Sequence, residues 1–439
     1  MAEQGIAEQN LAGHDSAELG ERKAPVASLL AGGVGNLLEW YDFGIYGLFA
    51  PILAHLFFPA HDRVASLIGA YAGFAIGFAV RPLGGIVFGH LGDRLGRRVV
   101  LVSSVVMMGL ATTAMALLPT YEAIGIGAPI LLLCIRVLQG FSVGGEFTGS
   151  VAYLVETAPA NRRGIAGSIA NIGASAGMLL AAAVATATAT FATSAEVQSW
   201  AWRVPFLIGG IIAITGYFLR HGLPETGYVP KASAQQSLPL RKALAEAPGP
   251  MLLAILFTSG YGVADYVTMI FLPTYASLFG GVAESEALAA NTAGQALTLA
   301  VVPIAAWLTD WAFSRRTLLI GVFVAELAIA WWGISLARHG GVEGIWAAQL
   351  AFAFLFALVM AAEPATLAEL FPSEYRLSGY SLSFNLGIGI AGGTAPLVAT
   401  ALIAATGSDL APAWYLMVAC AISAGAAFLM VDWSRKPLR

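Results

Sequence analysis

Twelve apolar runs, each long enough to cross a membrane as a helix, dominate this sequence of 439 residues. A spanning helix needs about 20 apolar residues. The runs cover residues 26–57, 64–88, 98–118, 125–155, 164–192, 203–219, 250–279, 287–309, 317–337, 344–370, 377–405 and 411–432. Because 58% of the residues are hydrophobic and only 11% are charged, a water-soluble chain of this length could not bury its apolar surface. The sequence therefore predicts an all-α integral membrane protein with twelve transmembrane helices.

A repeated motif divides the chain into two similar halves. The pattern Glu-x-x-Pro-x-x-x-Arg covers residues 156–163 and recurs at residues 369–376, each time just before an apolar run. A looser pair consists of Asp93 and Asp310, each followed closely by two adjacent arginines. Two copies of one unit that repeat in the same direction are typical of secondary transporters.

Polar stretches set the expected boundaries of these halves. Residues 1–24 are polar and acidic, which predicts a disordered tail, and residues 221–248 have the Pro, Ser and Gln content of a linker. The expected units are the tail 1–24, a six-helix half 25–220, the linker 221–248, a six-helix half 249–432 and a short tail 433–439.

Basic residues near the ends of the runs predict the orientation of the chain. With both termini inside, the cytoplasmic segments carry seventeen Lys and Arg residues, whereas the outer segments carry three. Loops rich in Lys and Arg stay on the cytoplasmic side of a membrane. We therefore expect a multi-pass protein of the plasma (cytoplasmic) membrane with both termini in the cytoplasm.

Net charge and cysteine placement exclude several classes of function. A formal net charge of −4, with scattered basic residues, does not suit nucleic-acid binding. Cys134 and Cys420 lie inside apolar runs, so neither a disulfide framework nor a thiolate metal site is expected. The sequence carries no nucleotide-binding loop or nucleophile–base motif. It predicts no enzyme, no metal and no cofactor.

Acidic residues inside the apolar runs are candidate functional groups, because a charge at the membrane centre costs several kcal/mol. Glu39 and Asp42 are three positions apart and therefore lie on one helix face. Two such carboxylates are expected to repel, so that one of them binds a proton near neutral pH. The alternative is a hydrogen-bonded pair that packs the helix against its neighbour. For Asp265, Glu326 and Glu363, single acids in other runs, a paired or end-lying position is the favoured interpretation.

Arg81 and Arg136 are the arginines deepest in apolar runs. Arginine keeps its proton at any useful pH and must therefore be paired. Either guanidinium group would hold a substrate carboxylate or control the proton affinity of an acid. The alternative is a fixed ion pair with Glu39, Asp42 or Glu146. Glu146 itself follows two glycines in the fourth run, and both a structural and a coupling role remain open.

Six stretches together resemble the metabolite:proton symporters of the major facilitator superfamily. They cover residues 35–43, 81–85, 89–98, 136–146, 202–206 and 369–372. The resemblance implies the major facilitator fold, whose two six-helix halves open alternately to the two sides of the membrane. It also implies that the partners are a small-molecule substrate, protons and the lipid bilayer, and we expect a monomer.

The activity implied by this resemblance is proton-coupled import of a small carboxylate-bearing metabolite, either an organic acid or a zwitterion such as proline or betaine. In the superfamily the element that begins with Arg136 is linked to proton coupling, and the seventh helix lines the cavity. The predicted substrate site consists of Arg81, Arg136, Tyr41, Gln139 and Asp265. The predicted proton-coupling group consists of Glu39, Asp42, Arg136 and Glu146.

The resemblance implies that the stretch after the second run forms a conformational latch, which in relatives locks the two halves together when the outside is open. An acid at a loop start can face the positive end of a neighbouring helix, which suits Asp93, and Arg97 can pair with an acid such as Glu156. In the second half, residues 311–314 replace the expected Arg-x-Gly, which predicts a weaker contact for Asp310. The predicted latch comprises Gly89, Asp93, Arg94, Gly96, Arg97, Arg98, Glu156 and Asp310.

Two other classes are considered beside import. A proton-coupled efflux antiporter would share the fold, but the fifth run lacks the Gly-Pro signature of many superfamily antiporters. It carries Gly173 and Gly177 instead, at a spacing that suits close helix packing. A non-transporting sensor would be expected to carry an appended soluble domain. Import is therefore the favoured function.

Overall fold

The computed structural model describes residues 26–60, 62–95, 97–144, 146–221 and 239–438. The predicted tail 1–24, most of the predicted linker and Gly96 lie outside these residues. The side chains of residues 26–34, 89–101, 219–221 and 239 and of Glu146 are not described either. The predicted latch residues Asp93, Arg94, Arg97 and Arg98, and the predicted coupling residue Glu146, therefore remain predictions.

Twelve membrane segments follow one another, and we number them in chain order. Segments 1 to 6 are Val26–Leu48 with Ala50–Phe57, Arg63–Ala79 with Arg81–Leu95, Arg97–Leu117, Gly127–Ser142 with Glu146–Thr157, Arg163–Phe191, and Ser194–Glu196 with Val197–Ala201 and Arg203–His221. Segments 7 to 12 are Pro248–Asp265 with Tyr266–Phe271 and Leu272–Leu278, Glu284–Trp311, Arg315–His339, Gly341–Glu369, Arg376–Leu386 with Gly387–Gly392 and Ala395–Thr406, and Ala411–Leu429. Two short helices, Tyr121–Ile124 and Pro239–Glu246, precede segments 4 and 7.

Length and apolar composition show that these helices can cross a membrane. Within the described ranges, nine helical stretches have both properties, and the two bent parts of segment 6 form a tenth. Segment 3 contains the shorter apolar helix Val102–Leu117, and segment 1 completes the twelve. The predicted all-α architecture of twelve membrane helices is thus confirmed. Predicted boundaries agree closely, as for the run 164–192, which forms Arg163–Phe191.

Glycines in the motifs of segments 2 and 4 bring these two helices into backbone contact. A Cβ atom on Gly84 would collide with the backbone of segment 4, and one on Gly140 would collide with the backbone of segment 2. Close approach of two helices requires small residues of this kind. It places Arg81 and Arg136 side by side, with both guanidinium groups over the ring of Phe43, at 5.4 and 5.0 Å from its centroid.

The two halves meet along the centre of the molecule. Segment 5 packs along segments 8 and 10, and segment 2 packs against segment 11. Turns of π-helix interrupt segment 7 at Tyr266–Phe271 and segment 11 at Gly387–Gly392. Both turns lie against Phe78 of segment 2, whose ring centroid is 5.2 Å from that of Tyr266. Since π-helical turns are frequent at functional sites, this contact marks the centre as a candidate site.

Candidate functional site

The first element of the buried centre is an ion pair between segments 1 and 2. A guanidinium Nη2 of Arg81 donates to Oε1 of Glu39, and both side chains are almost fully buried. The guanidinium group also lies over the rings of Phe43 and Phe78, at 5.4 and 5.3 Å from their centroids. Nε and Nη1 of Arg81 have no hydrogen-bond partner among the residues that the structure describes. The pair therefore keeps two donors free for a further anionic group.

The second element is a network around Asp42, also in segment 1. Its Oδ1 accepts hydrogen bonds from Gln139 Nε2 at 2.8 Å and from Thr112 Oγ1 at 2.5 Å. Nη1 of Arg136 lies 3.6 Å from Oδ2 and donates to Gln139 Oε1 at 2.9 Å. All four side chains are fully or almost fully buried. The network joins segments 1, 3 and 4 of the first half through one carboxylate.

The structure gives each predicted acid of segment 1 its own arginine. Glu39 pairs with Arg81, and Asp42 with Arg136, so the fixed ion pairs that stood as the alternative are present in this state. Repulsion between the two acids, which we expected to raise the proton affinity of one, is offset by these arginines. Whether either acid carries a proton during transport stays a prediction.

Tyr41 is oriented away from the arginines that the sequence grouped it with. Its hydroxyl donates to the carbonyl oxygen of Pro205 in segment 6 at 2.6 Å, and the side chain is fully buried. The hydrogen bond ties segment 1 to segment 6 within the first half. In this closed state the Tyr41 hydroxyl therefore has a structural partner.

Replacing Tyr41 with Phe is expected to lower the free energy of unfolding by about 1 kcal/mol, the usual contribution of one intramolecular hydrogen bond. The KM for substrate should stay unchanged, since the hydroxyl is bound to Pro205. Thermal unfolding of the purified protein and initial uptake rates measure the two quantities. A large rise in KM would place Tyr41 in the substrate site after all.

Tyr266 is a residue of this centre that the sequence analysis did not single out. Its ring meets Phe78 and Phe74 edge-on, at centroid distances of 5.2 and 5.5 Å. Its buried hydroxyl has no hydrogen-bond partner within the described part of the chain, and it lies within electrostatic range of Arg81 and Asp265. The only signal in the sequence is its position directly after Asp265. Tyr266 thus places a polar group of the second half close to the buried arginines of the first half.

The repeated Glu-x-x-Pro-x-x-x-Arg motif forms two reciprocal ion pairs between the halves. Arg376 of the second copy donates to Glu156 of the first at 2.7 Å. Arg163 of the first copy donates to Glu369 of the second at 3.2 Å. The sequence indicated a repeat here, but it did not show that the acid of each copy binds the arginine of the other. Glu156, which we expected to pair with Arg97, is bound to Arg376.

Asp310 binds the start of a helix in the other half of the molecule. Its carboxylate accepts hydrogen bonds from the backbone N–H groups of Gly164 and Ile165, at 2.8 and 3.0 Å, at the start of segment 5. It also lies 3.4 Å from Nη1 of Arg315, whose Nη2 binds Glu369. The acid caps a helix of the other half and needs no Arg-x-Gly sequence to do so. That this contact is weaker than that of Asp93 stays a prediction, because the Asp93 side chain lies outside the described residues.

The last residues of the chain close over the same region. Arg435 Nε donates to the carbonyl oxygen of Asp310 at 3.1 Å, and Arg163 donates to that of Lys436 at 2.8 Å. We call the ionic contacts of this end the lock: Glu156–Arg376, Arg163–Glu369, Arg315–Glu369 and the contacts of Asp310. The lock holds the halves together at the end where the repeated motifs lie.

A buried charged centre between two helical halves, closed at one end by an ionic lock, defines the class of secondary transporters. The family model described as "Sugar (and other) transporter" matches residues 29–229. The proline/betaine transporter of Escherichia coli is 32% identical over 424 residues, which cover 94% of this chain and 84% of that protein. The shikimate transporter of the same organism is 31% identical over 408 residues, covering 91% and 93%.

The fold matches solved structures as well. A crystal structure of a D-xylose-proton symporter superposes with a TM-score of 0.73 at 18% identity, covering 94% of this chain and 98% of that one. A partially occluded, inward-open structure of the Escherichia coli xylose transporter gives 0.72 at 19% identity, covering 94% and 98%. This chain belongs to the major facilitator superfamily, in its metabolite:proton symporter branch. It is a multi-pass membrane transporter and not an enzyme.

Proposed function

We propose that this protein imports a small carboxylate-bearing metabolite together with protons, by alternating access of its two halves. The observation that carries the proposal is Arg81, a buried arginine beside the interface between the halves, with two N–H groups that have no hydrogen-bond partner among the described residues. Guanidinium groups bind carboxylates through paired hydrogen bonds. The similar proteins named for proline, betaine and shikimate all act on compounds that carry a carboxylate.

Among such metabolites, the centre favours a zwitterion over a simple organic acid. Asp265 of segment 7 is 4% exposed and forms no ion pair within the part of the chain that is described. The ring of Tyr266, which follows Asp265 in the chain, meets those of Phe74 and Phe78 edge-on, and Arg81 lies over the ring of Phe78. Aromatic faces of this kind attract cations. A carboxylate at Arg81 and an ammonium group toward Asp265 would use both ends of the site. The organic acid remains the alternative.

Proton coupling is assigned to the Asp42 network. Protonation of Asp42 removes the negative charge that faces Arg136 and weakens the hydrogen bonds from Gln139 and Thr112. Arg136 then loses its counter-charge and becomes available to a substrate carboxylate or to the neighbouring pair. Loading of substrate and proton thus becomes linked through one buried network.

The proposed orientation places the lock on the cytoplasmic side, with both termini in the cytoplasm, in the plasma membrane and as a monomer. The bias of Lys and Arg toward the lock end supports this orientation. Opening of the lock would then release substrate into the cell. A cysteine-accessibility map with a membrane-impermeant reagent on intact cells tests the orientation.

The function is tested by uptake into proteoliposomes with an imposed pH gradient. Labelled proline, glycine betaine, shikimate and xylose form the panel, and each is measured with and without a proton uncoupler and with sodium replaced by potassium. Uphill uptake of a carboxylate-bearing compound, lost with the uncoupler and kept without sodium, is expected. Sodium-dependent uptake that ignores the uncoupler would overturn the coupling. Proton-driven extrusion in place of uptake would support the antiporter alternative.

A further inference from the structure

Glu363 of segment 10 is a buried acid that the proposed function leaves without a role. Its side chain is 0% exposed. Oε1 accepts a hydrogen bond from the Tyr380 hydroxyl at 3.2 Å, and Oε2 lies 3.5 Å from Asn171 Nδ2. Unlike Glu39 and Asp42, it forms no ion pair with any residue that the structure describes.

The surroundings of Glu363 fix its charge in this closed state. Three segments pack against it with neutral groups, which are Tyr380 of segment 11, Tyr261 of segment 7 and Asn171 of segment 5. An ionised carboxylate that is buried without a cation costs several kcal/mol, so such a group takes up a proton instead. Glu363 is therefore a neutral acid while the halves are closed.

A proline next to Glu363 connects this acid to the other half of the molecule. Pro364 lacks an N–H group, so the carbonyl oxygen of Met360, four residues earlier, loses its helical partner. Asn171 of segment 5 donates to this carbonyl oxygen at 2.8 Å. One amide of the first half thus binds both the break in segment 10 and, more weakly, the carboxyl group. A Cβ atom on Gly167, one turn away, would lie 3.1 Å from Pro364, so the two segments touch here.

The position of Glu363 relative to the lock decides where its proton can go. It precedes Glu369 by six residues on the same helix, about 9 Å along the axis at 1.5 Å per residue. When the lock opens, segment 5 must move away from segment 10, and Asn171 leaves with it. Water then reaches the carboxyl group from the lock end, and hydration favours the ionised form.

We propose that Glu363 is a second proton-binding site, which holds a proton while the halves are closed and releases it on the lock side in every cycle. This inference rests on proton-coupled import. It assigns one proton to segment 10 in addition to the one assigned to Asp42. The donors that stabilise Glu363 come from both halves, so its proton affinity depends on whether the halves are joined.

The number of protons per substrate tests this site. In proteoliposomes, the pH gradient at which net flux of a fixed substrate gradient reverses gives the ratio for each variant. Glu363→Gln keeps the shape and the hydrogen-bond acceptor of the neutral acid, and we expect the ratio to fall by one proton. The matched control is Glu326→Gln, because Glu326 is a buried acid whose thiol partner, Cys420, lies in its own half. The control should keep the wild-type ratio.

The outcomes separate this inference from the function on which it rests. A wild-type protein whose flux ignores the pH gradient would contradict the proposed coupling itself. A coupled wild type with an unchanged ratio in Glu363→Gln would overturn only the second site. Infrared spectroscopy of the purified protein gives an independent readout, since a protonated carboxyl group has its own C=O stretch. Glu363→Gln should remove such a band at neutral pH, and Tyr380→Phe should shift its frequency. An unchanged spectrum in both variants would equally overturn the site.

Discussion

Asp42→Asn is expected to abolish uphill accumulation even though a second proton is assigned to Glu363, because a side chain fixed in the neutral state stops the return of the empty transporter and therefore all net transport. Asparagine fills the same space and can still accept hydrogen bonds from Gln139 and Thr112, but it cannot bind and release a proton. Exchange of labelled for unlabelled substrate should survive, because exchange does not require release of the proton. The measurement is active uptake beside counterflow in the same vesicles.

The control for this variant is Thr112→Val, which removes one hydrogen bond from the Asp42 carboxylate at 2.5 Å and leaves its charge in place. One bond to a charged group contributes about 1.5–3 kcal/mol. The variant should therefore accumulate substrate with a shifted pH dependence.

Glu39→Gln, whose acid pairs with Arg81, should weaken substrate binding more than proton coupling. Wild-type accumulation in both Asp42→Asn and Glu39→Gln would move this proton to Glu146 or Asp265.

The sequence was sufficient for the fold because membrane helices need long apolar runs, whatever their partners. The run 164–192 predicted segment 5 to within one residue. The same apolar runs singled out Glu39, Asp42, Arg81 and Arg136 as site residues, because a charged side chain inside the membrane is costly and is therefore a functional candidate. It could not say which acid pairs with which arginine. That choice depends on helix rotation, which the glycine contacts between segments 2 and 4 set in three dimensions.

The parts of the site that the sequence missed are contacts between the halves. Tyr266 and Asn171 are ordinary polar residues of apolar helices, and nothing in their spacing tells which surface of the other half they meet. The repeated motif did carry the information, since two units related by an approximate two-fold axis bring the acid of each copy to the arginine of the other. The pairs Glu156–Arg376 and Arg163–Glu369 follow this rule. The spacing of the two motifs along the chain does not show this pairing between the copies.

Glu369→Gln is expected to have the largest effect on the conformational equilibrium. Glu369 is 3% exposed and binds both Arg163 and Arg315. Its neutralisation leaves Arg163 without a counter-charge among the described residues and leaves Arg315 with Asp310 alone, and breaking a buried ion pair in this way costs about 3–5 kcal/mol. This cost applies only to the closed conformation, because water hydrates the arginines in the open conformation. The ratio of open to closed molecules should therefore rise by roughly 100-fold or more.

Glu156→Gln is the matched control within the same lock. Its side chain is 43% exposed, although that of its partner Arg376 is 1% exposed. Water screens a half-exposed pair more than a buried one, so the ratio should rise much less than in Glu369→Gln. Spin labels at Arg162 and Ser373, exposed residues of opposite halves, report the distance between the halves at the lock end. Cys134 and Cys420 are replaced beforehand so that only these two sites are labelled. A longer distance in Glu369→Gln, beside a nearly unchanged one in Glu156→Gln, is the expected result. Equal distances in both variants would mean that apolar packing of segment 5 on segments 8 and 10 holds the halves together, and that the lock only fixes their register.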